Sequence, residues 1–214
     1  MAQPAGWFGD RAVLVQVNSA AERESIASSL AQRMPEALIR RGMASVLIEL
    51  ATPDPRLLAT VEHHLSGVDT AAIDLAEQGA VSILVEYDGA DLTDTAAFFH
   101  VTPSQLISAH TTQTWRVAMM GFAPGFGYLE PLGDPQLPWA TLPRRDNPRT
   151  QVPSGSVALA AGMSAVYPSS SPGGWRLLGT TTTKLFDPTD DENPALLRPG
   201  LHVHFIEDAG GNQA

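Results

Sequence analysis

The 214-residue chain carries 13 Lys and Arg against 23 Asp and Glu, a formal net charge of -10, and no cysteine. That balance argues against nucleic acid as the main partner, because a phosphate-binding surface needs many cations. The lack of thiols excludes a disulfide framework, a thiolate nucleophile and a cysteine-based zinc site.

With 43 % hydrophobic residues, the chain is long enough for one large or two small cores without staples. Neither the basic-then-apolar start of a signal peptide nor a membrane-spanning run is visible, so a cytoplasmic protein is expected. Disorder is expected only at residues 1–5 and 210–214.

Residues 11–17 alternate apolar and polar like a strand. Ser19 is placed to cap a helix over 20–34, in which Ile26, Leu30 and Met34 recur at four-residue spacing. Gly42 precedes a second strand pattern at 45–50, and Pro53-Asp54-Pro55 opens a helix through Leu57, Leu58, Val61 and Leu65. This alternation predicts a small two-layer α+β unit of ferredoxin-like type. The pattern changes after Gly79. Residues 81–87 read as a strand, and 92–99 and 103–109 as short helices, the second capped by Thr102. Beyond them come short β runs at 115–120, 157–161, 175–178 and 201–206, broken by Pro and Gly. Such punctuation favours a closed or sandwiched β architecture. Two domains are therefore expected, 1–80 and 81–214.

Charge is concentrated in one segment of the second domain. Arg144, Arg145, Arg149, Arg176 and Lys184, the only lysine in the chain, face a single acid in that stretch, Asp146. A cationic, glycine-rich segment in an acidic protein is a candidate anion site. The three clustered arginines lie in a Pro-bounded loop, where they could grip a carboxylate or phosphate bidentately or form a solvated rim. Gly121, Gly125 and Gly127 either let backbone amides approach an anion or serve as turn and bulge residues, with Phe122, Phe126 and Tyr128 in the core. The run lacks the Gly-Lys-Ser/Thr of a Walker loop and the following helix of a dinucleotide fingerprint.

Ser154-Gly155-Ser156 offers hydroxyls but no Gly-x-Ser-x-Gly elbow. His63-His64 diverge on a helix and His202-x-His204 share a strand face without an evident carboxylate, so no metal site is expected. For His110, a site role and a structural role both stay open. Asp91 reads as a helix N-terminal acid.

Several segments, read together, carry a family pattern: Tyr87-x-Gly89-x-Asp91-Leu92, His110, Gly121-Phe122-x-Pro124-Gly125-Phe126-x-Tyr128-Leu129, Pro143-Arg144-Arg145, Pro148-Arg149, Val152-Pro153-x-Gly155-Ser156-Val157, Tyr167-Pro168 and Ser171-Pro172-Gly173-Gly174-Trp175. They resemble the family that includes the B subunit of bacterial 5-oxoprolinase, the kinase inhibitor KipI and allophanate hydrolase subunit 1. The resemblance covers nearly all of the second domain and mainly the pattern of the first.

It implies a ferredoxin-like first domain, a cyclophilin-like β-barrel second domain, and ATP, with magnesium, as cofactor of a cyclic-amide hydrolase. The implied partners are the homologous C subunit (allophanate hydrolase subunit 2) and a lactamase-type A subunit, and the chain is expected to be inactive alone. His110, Arg145 and Arg149 would be catalytic. Substrate or nucleotide would meet Asp91, Gly121, Phe122, Pro124, Gly125, Tyr128, Arg144, Gly155, Ser156, Pro172, Gly173, Gly174, Trp175 and Lys184. Two departures bear on the substrate. Thr180, Thr181 and Thr182 stand where the family tends to have Arg-Thr-Pro, and Gly162-Met163-Ser164-Ala165-Val166 where it often has Gly-Gln-Thr-Gly. Two other functions remain compatible: half of a urea-carboxylase-like carboxyltransferase module with a biotin-bearing partner, or a KipI-like inhibitor of a sensor histidine kinase.

Overall fold

In β2 (Ala12–Gln16), Val13 and Val15 point to one face and are fully buried, as are Val46 and Ile48 in β4 (Ser45–Glu49). Against that face α1 (Ala20–Arg33) lays Ile26, Ala27 and Leu30, and α2 (Leu57–Leu65) lays Leu57 and Val61. β1 (Ala5–Trp7) and β3 (Leu38–Arg41) complete an antiparallel sheet of order β1-β2-β4-β3. Ser19 caps α1 as expected, its Oγ accepting from the Glu22 N–H at 3.1 Å, while the Glu22 carboxylate accepts from the Asn18 N–H at 2.6 Å. The order β2-α1-β3-β4-α2 is ferredoxin-like, and β1 holds the sheet position beside β2.

The computed structural model describes residues 5–68 and 79–209. The disorder expected at the ends falls, but for Ala5, outside the described residues. The chain divides into two compact units, Met1–Ala76 and Glu77–Ala214. No helix among the described residues is long and apolar enough to cross a membrane.

The second unit opens with β5 (Ala80–Val85), followed by α3 (Leu92–Phe98) and α4 (Pro103–Thr112). Thr102 caps α4 in a full capping box with Gln105, and Pro103 occupies the first turn. The strands β6 (Trp115–Met120), β7 (Gly127–Pro131), β8 (Arg149–Val152), β9 (Ser156–Ala160), β10 (Met163–Val166), β11 (Ser171–Gly173), β12 (Arg176–Thr180) and β13 (His202–Glu207) complete it. Seven strands form one sheet of order β12-β9-β10-β7-β6-β13-β5, in which only β13 and β5 run parallel, and β8 pairs with β11 in a separate ribbon. A bridge between Glu86 and Thr180 joins the two edges, with N–H to O distances of 2.9 and 2.8 Å. The sheet is thereby nearly closed into a barrel, which removes its free edges. This is the expected α+β, cyclophilin-like architecture.

All five residues of β9 are buried, because the strand separates two cores. Val157 and Leu159 face the main barrel core with Trp115, Trp139 and Phe205, whereas Ala158 and Ala160 face a smaller aromatic cluster of Phe126, Tyr167 and Trp175. The alanines leave room for the three rings, and the candidate site is built on that aromatic side.

Candidate functional site

Asp91 stands at the start of α3, yet its carboxylate makes no capping hydrogen bond. It turns inward instead and is 2 % exposed. Its Oδ1 accepts from Arg145 Nη1 at 2.6 Å and Arg149 Nη2 at 2.9 Å, and its Oδ2 accepts from Arg149 Nη1 and the Leu177 N–H, both at 2.8 Å. Burial alone would raise the pKa of this carboxyl. The hydrogen bonds from Arg149 and the Leu177 N–H, with the positive charges of Arg149 and Arg145, outweigh burial and hold it below the ordinary value. Arg145 and Arg149 thus share one buried carboxylate, which orients both guanidinium groups and leaves the three side chains together with a net charge of +1. Their arrangement ties loop 143–149 to β12, and the Arg145 N–H donates to the Gly174 carbonyl at 2.8 Å, which fastens the same loop to the 171–175 segment.

The remaining arginine of that loop is differently placed. Arg144 is exposed, has no ion pair among the described residues, and lies with its guanidinium carbon 5.9 Å from the Trp175 ring centroid. It overhangs a recess of about 80 Å³ whose walls are Phe122, Phe126, Tyr128, Tyr167, Pro172, Gly173, Gly174 and Trp175. Phe126 anchors the wall, packing edge-on against Phe122 at 5.2 Å, Tyr128 at 5.0 Å, Tyr167 at 5.4 Å and Trp175 at 6.0 Å between centroids.

The glycines of this segment serve a turn. The Phe126 N–H donates to the Ala123 carbonyl across Pro124 and Gly125, and Gly125 has φ of 81°, as a type II turn requires. A Cβ on Gly125 would stand 2.9 Å from the Leu185 carbonyl oxygen. The Gly121 N–H is used by the Phe126 carbonyl at 3.1 Å. The turn holds Phe122 at φ 70° with 61 % of its surface exposed at the lip of the recess, a conformation that strains a bulky residue.

Tyr167 also lines a second, more polar cleft of about 370 Å³, with Ser154, Gly155, Pro168, Thr181, Thr182, Thr183, Lys184 and Leu185. Gly155, at φ 81°, lets the backbone pass so close that a Cβ would lie 2.2 Å from the Thr181 carbonyl oxygen. Gly155→Ala is therefore expected to destabilise the protein by roughly 2–4 kcal/mol, strain and overlap together, measured as a fall in the denaturant midpoint at unchanged m-value. Ser156 lies in β9, 1 % exposed, and does not line either cavity.

His110 is a core residue. It is fully buried and stacks on Phe205 at 4.5 Å and 26°. Ser164 Oγ donates to the Ala158 carbonyl at 3.3 Å, so it accepts from His110 Nε2–H at 3.0 Å, leaving Nδ1 to accept from the Tyr87 hydroxyl at 2.8 Å. Burial pushes the imidazole pKa down to about 3 and the Tyr87 phenol up, so the whole chain of bonds is neutral. A proton carrier near neutral pH needs accessibility and a pKa near 7. His110 has neither and lines neither cavity, so the catalytic expectation for it is corrected to a structural one.

The structure thus brings Phe122, Tyr128, Arg144, Pro172, Gly173, Gly174 and Trp175 to one recess, and Gly155 and Lys184 to the adjoining cleft. Phe126 and Tyr167 join them as walls that the sequence pattern does not mark as site residues. Their aromatic type, beside Gly125 and Pro168, is the available signal. No group of three His, Asp or Glu able to hold a metal occurs among the described residues. Without carboxylates among the described residues that line the two cavities, those cavities do not by themselves fit a magnesium-nucleotide complex, whose metal needs such ligands.

A family model described as carboxyltransferase domain, subdomain C and D, matches residues 5–197. The chain is 37 % identical over 173 residues to the B subunit of 5-oxoprolinase from Escherichia coli O157:H7, covering 79 % of this chain and 77 % of the relative. Among solved structures it is similar to TTHA0988, with TM-score 0.72 and 31 % identity over 95 % of this chain but only 41 % of the other. The fold also recurs in K. lactis urea amidolyase, with TM-score 0.74 and 17 % identity over 95 % of this chain and 15 % of that one. The chain belongs to the family of carboxyltransferase subdomains C and D that includes the 5-oxoprolinase B subunit.

Proposed function

We propose that this chain is a non-autonomous subunit of an ATP-dependent cyclic-amide hydrolase whose substrate is 5-oxoproline and whose product is glutamate. The observation that carries this reading is the aromatic recess overhung by Arg144, beside the 37 % identity to a B subunit of 5-oxoprolinase. A small flat lactam ring suits the edges of Phe126, Tyr128 and Trp175. Its carboxylate suits a guanidinium that has no ion pair among the described residues.

The same residues support dependence on partners. His110 and Ser164 are buried and neutral, and Ser154 Oγ donates to the Pro168 carbonyl at 2.9 Å, so none of these three supplies an accessible nucleophile with a base beside it. Nucleotide activation is accordingly assigned to a site completed by a homologue of allophanate hydrolase subunit 2, with a lactamase-type partner. The residues of this chain orient the lactam and shield one face of it from water.

In the assembled complex, Arg144→Ala is expected to raise the KM for 5-oxoproline about 10- to 100-fold, the loss of one charge-assisted hydrogen bond, at unchanged melting temperature. Arg144→Lys should recover part of the loss. An unchanged KM in both variants would remove the recess from the reading.

A second reading is favoured by the family model and by the likeness in fold to urea amidolyase. In it the recess holds a small planar amide such as urea in a carboxyltransferase module. Urea turnover that depends on a biotin-bearing partner and is indifferent to 5-oxoproline would select it.

A further inference from the structure

We propose that the polar cleft beside Tyr167 is a second subsite, made for a phosphoryl oxyanion. Thr181, Thr182, Thr183 and Lys184 form one wall, and no carboxylate is among the described residues that line the cleft, in a chain whose net charge is -10. The hydroxyls are oriented by their own bonds. Thr181 Oγ1 accepts from the Thr183 N–H at 3.1 Å and donates to Thr183 Oγ1 at 3.0 Å, which leaves the Thr183 hydroxyl proton free to point at a ligand.

Lys184 supplies the charge. Its ammonium is 2.6 Å from Asp187 in a pair whose side chains are 65 % and 35 % exposed. Exposed pairs of this kind contribute little, so an anion presenting several oxygens to the Thr row competes well for the ammonium. Asp187 stays in place without Lys184, because it also accepts from the Thr189 N–H at 3.0 Å and Oγ1 at 2.6 Å. A lysine on a flexible stem with three rotatable donors suits a tetrahedral oxyanion.

Tyr167 lines both cavities, so an oxyanion in the cleft stands one side chain away from a ligand in the aromatic recess. Identifying that oxyanion with the phosphoryl group handled during lactam opening rests on the function proposed above. Anion binding by the cleft does not.

The test is a titration of the full-length chain with inorganic phosphate, followed by calorimetry and by amide NMR shifts, with metal-free ATP and acetate in parallel arms. Saturable phosphate binding is expected to shift Gly155 and Thr181 to Thr183. It should weaken about tenfold in Lys184→Ala, the lower range for losing one charged donor, and tighten a few-fold in Asp187→Asn, with melting temperatures unchanged. ATP binding tighter than phosphate would assign the oxyanion to a nucleotide, and equal binding to free phosphate. No saturable phosphate binding, equal affinity in Lys184→Ala, or acetate binding as tightly as phosphate would overturn the proposal. None of these measurements requires partner proteins or 5-oxoproline, so failure here and failure of the lactam reading are distinguishable.

Discussion

Asp91→Asn is expected to destabilise the protein by about 2–4 kcal/mol, the range for breaking a buried ion pair from one side, reduced because both arginines are partly exposed. The amide cannot accept from four donors. It would present N–H groups to one of the guanidinium ions that the carboxylate now holds at 2.6 to 2.9 Å. Thermal unfolding should register a fall of roughly 5–15 °C for a chain of this size. The effect depends on pH in a defined sense. Because the folded carboxyl is held below its ordinary value, its contribution is complete above the unfolded pKa of about 3.9 and disappears as pH falls through the folded one. The difference in stability between wild type and Asp91→Asn should therefore shrink below about pH 4. A variant that melts like wild type at pH 7 would show that the arginines find other partners.

His110→Ala is expected to remove roughly 2–4 kcal/mol, combining a core cavity with the loss of two buried hydrogen bonds. Its pH signature appears in stability, not in turnover. With the folded imidazole pushed down to about 3 and the unfolded one near 6.5, the unfolded chain takes up the proton first. Stability owed to the neutral ring is fully present above about pH 6.5 and falls by about 1.4 kcal/mol for each unit below it, down to the folded value. The groups facing the ring, Tyr87, Ser164, Trp115, Trp139 and Phe205, carry no charge over that range. Subtracting the His110→Ala profile from that of wild type isolates this slope. Turnover per folded complex should be unchanged. A drop of about 100-fold at wild-type stability would restore the proton-carrier role instead.

These two residues also mark where sequence reading stops. Ser19, Thr102 and the Ile26-Leu30 spacing act through neighbours a few residues away, so their helices are legible from the chain alone. β3 is not, because Leu38-Ile39-Arg40-Arg41 places arginines on both faces, and β8 and β11 escape as short, irregular strands in a Pro- and Gly-rich stretch. Asp91 meets Arg145 and Arg149 across 54 and 58 residues, a separation that neither periodicity nor local charge balance can reveal. The cationic segment is visible as composition. Which of its members converge on a buried carboxylate is not, and that difference leaves Arg144 as the cation over the recess.

The most direct measurement is ATP-dependent glutamate release from 5-oxoproline by the complex assembled with the allophanate hydrolase subunit 2 homologue and the lactamase-type partner, compared with the same mixture lacking this chain and with this chain alone. The result expected is release by the full assembly only, with urea and allophanate left unconsumed. Release by this chain alone, equal release without it, or turnover confined to urea or allophanate would contradict its assignment as a non-autonomous lactam-hydrolase subunit.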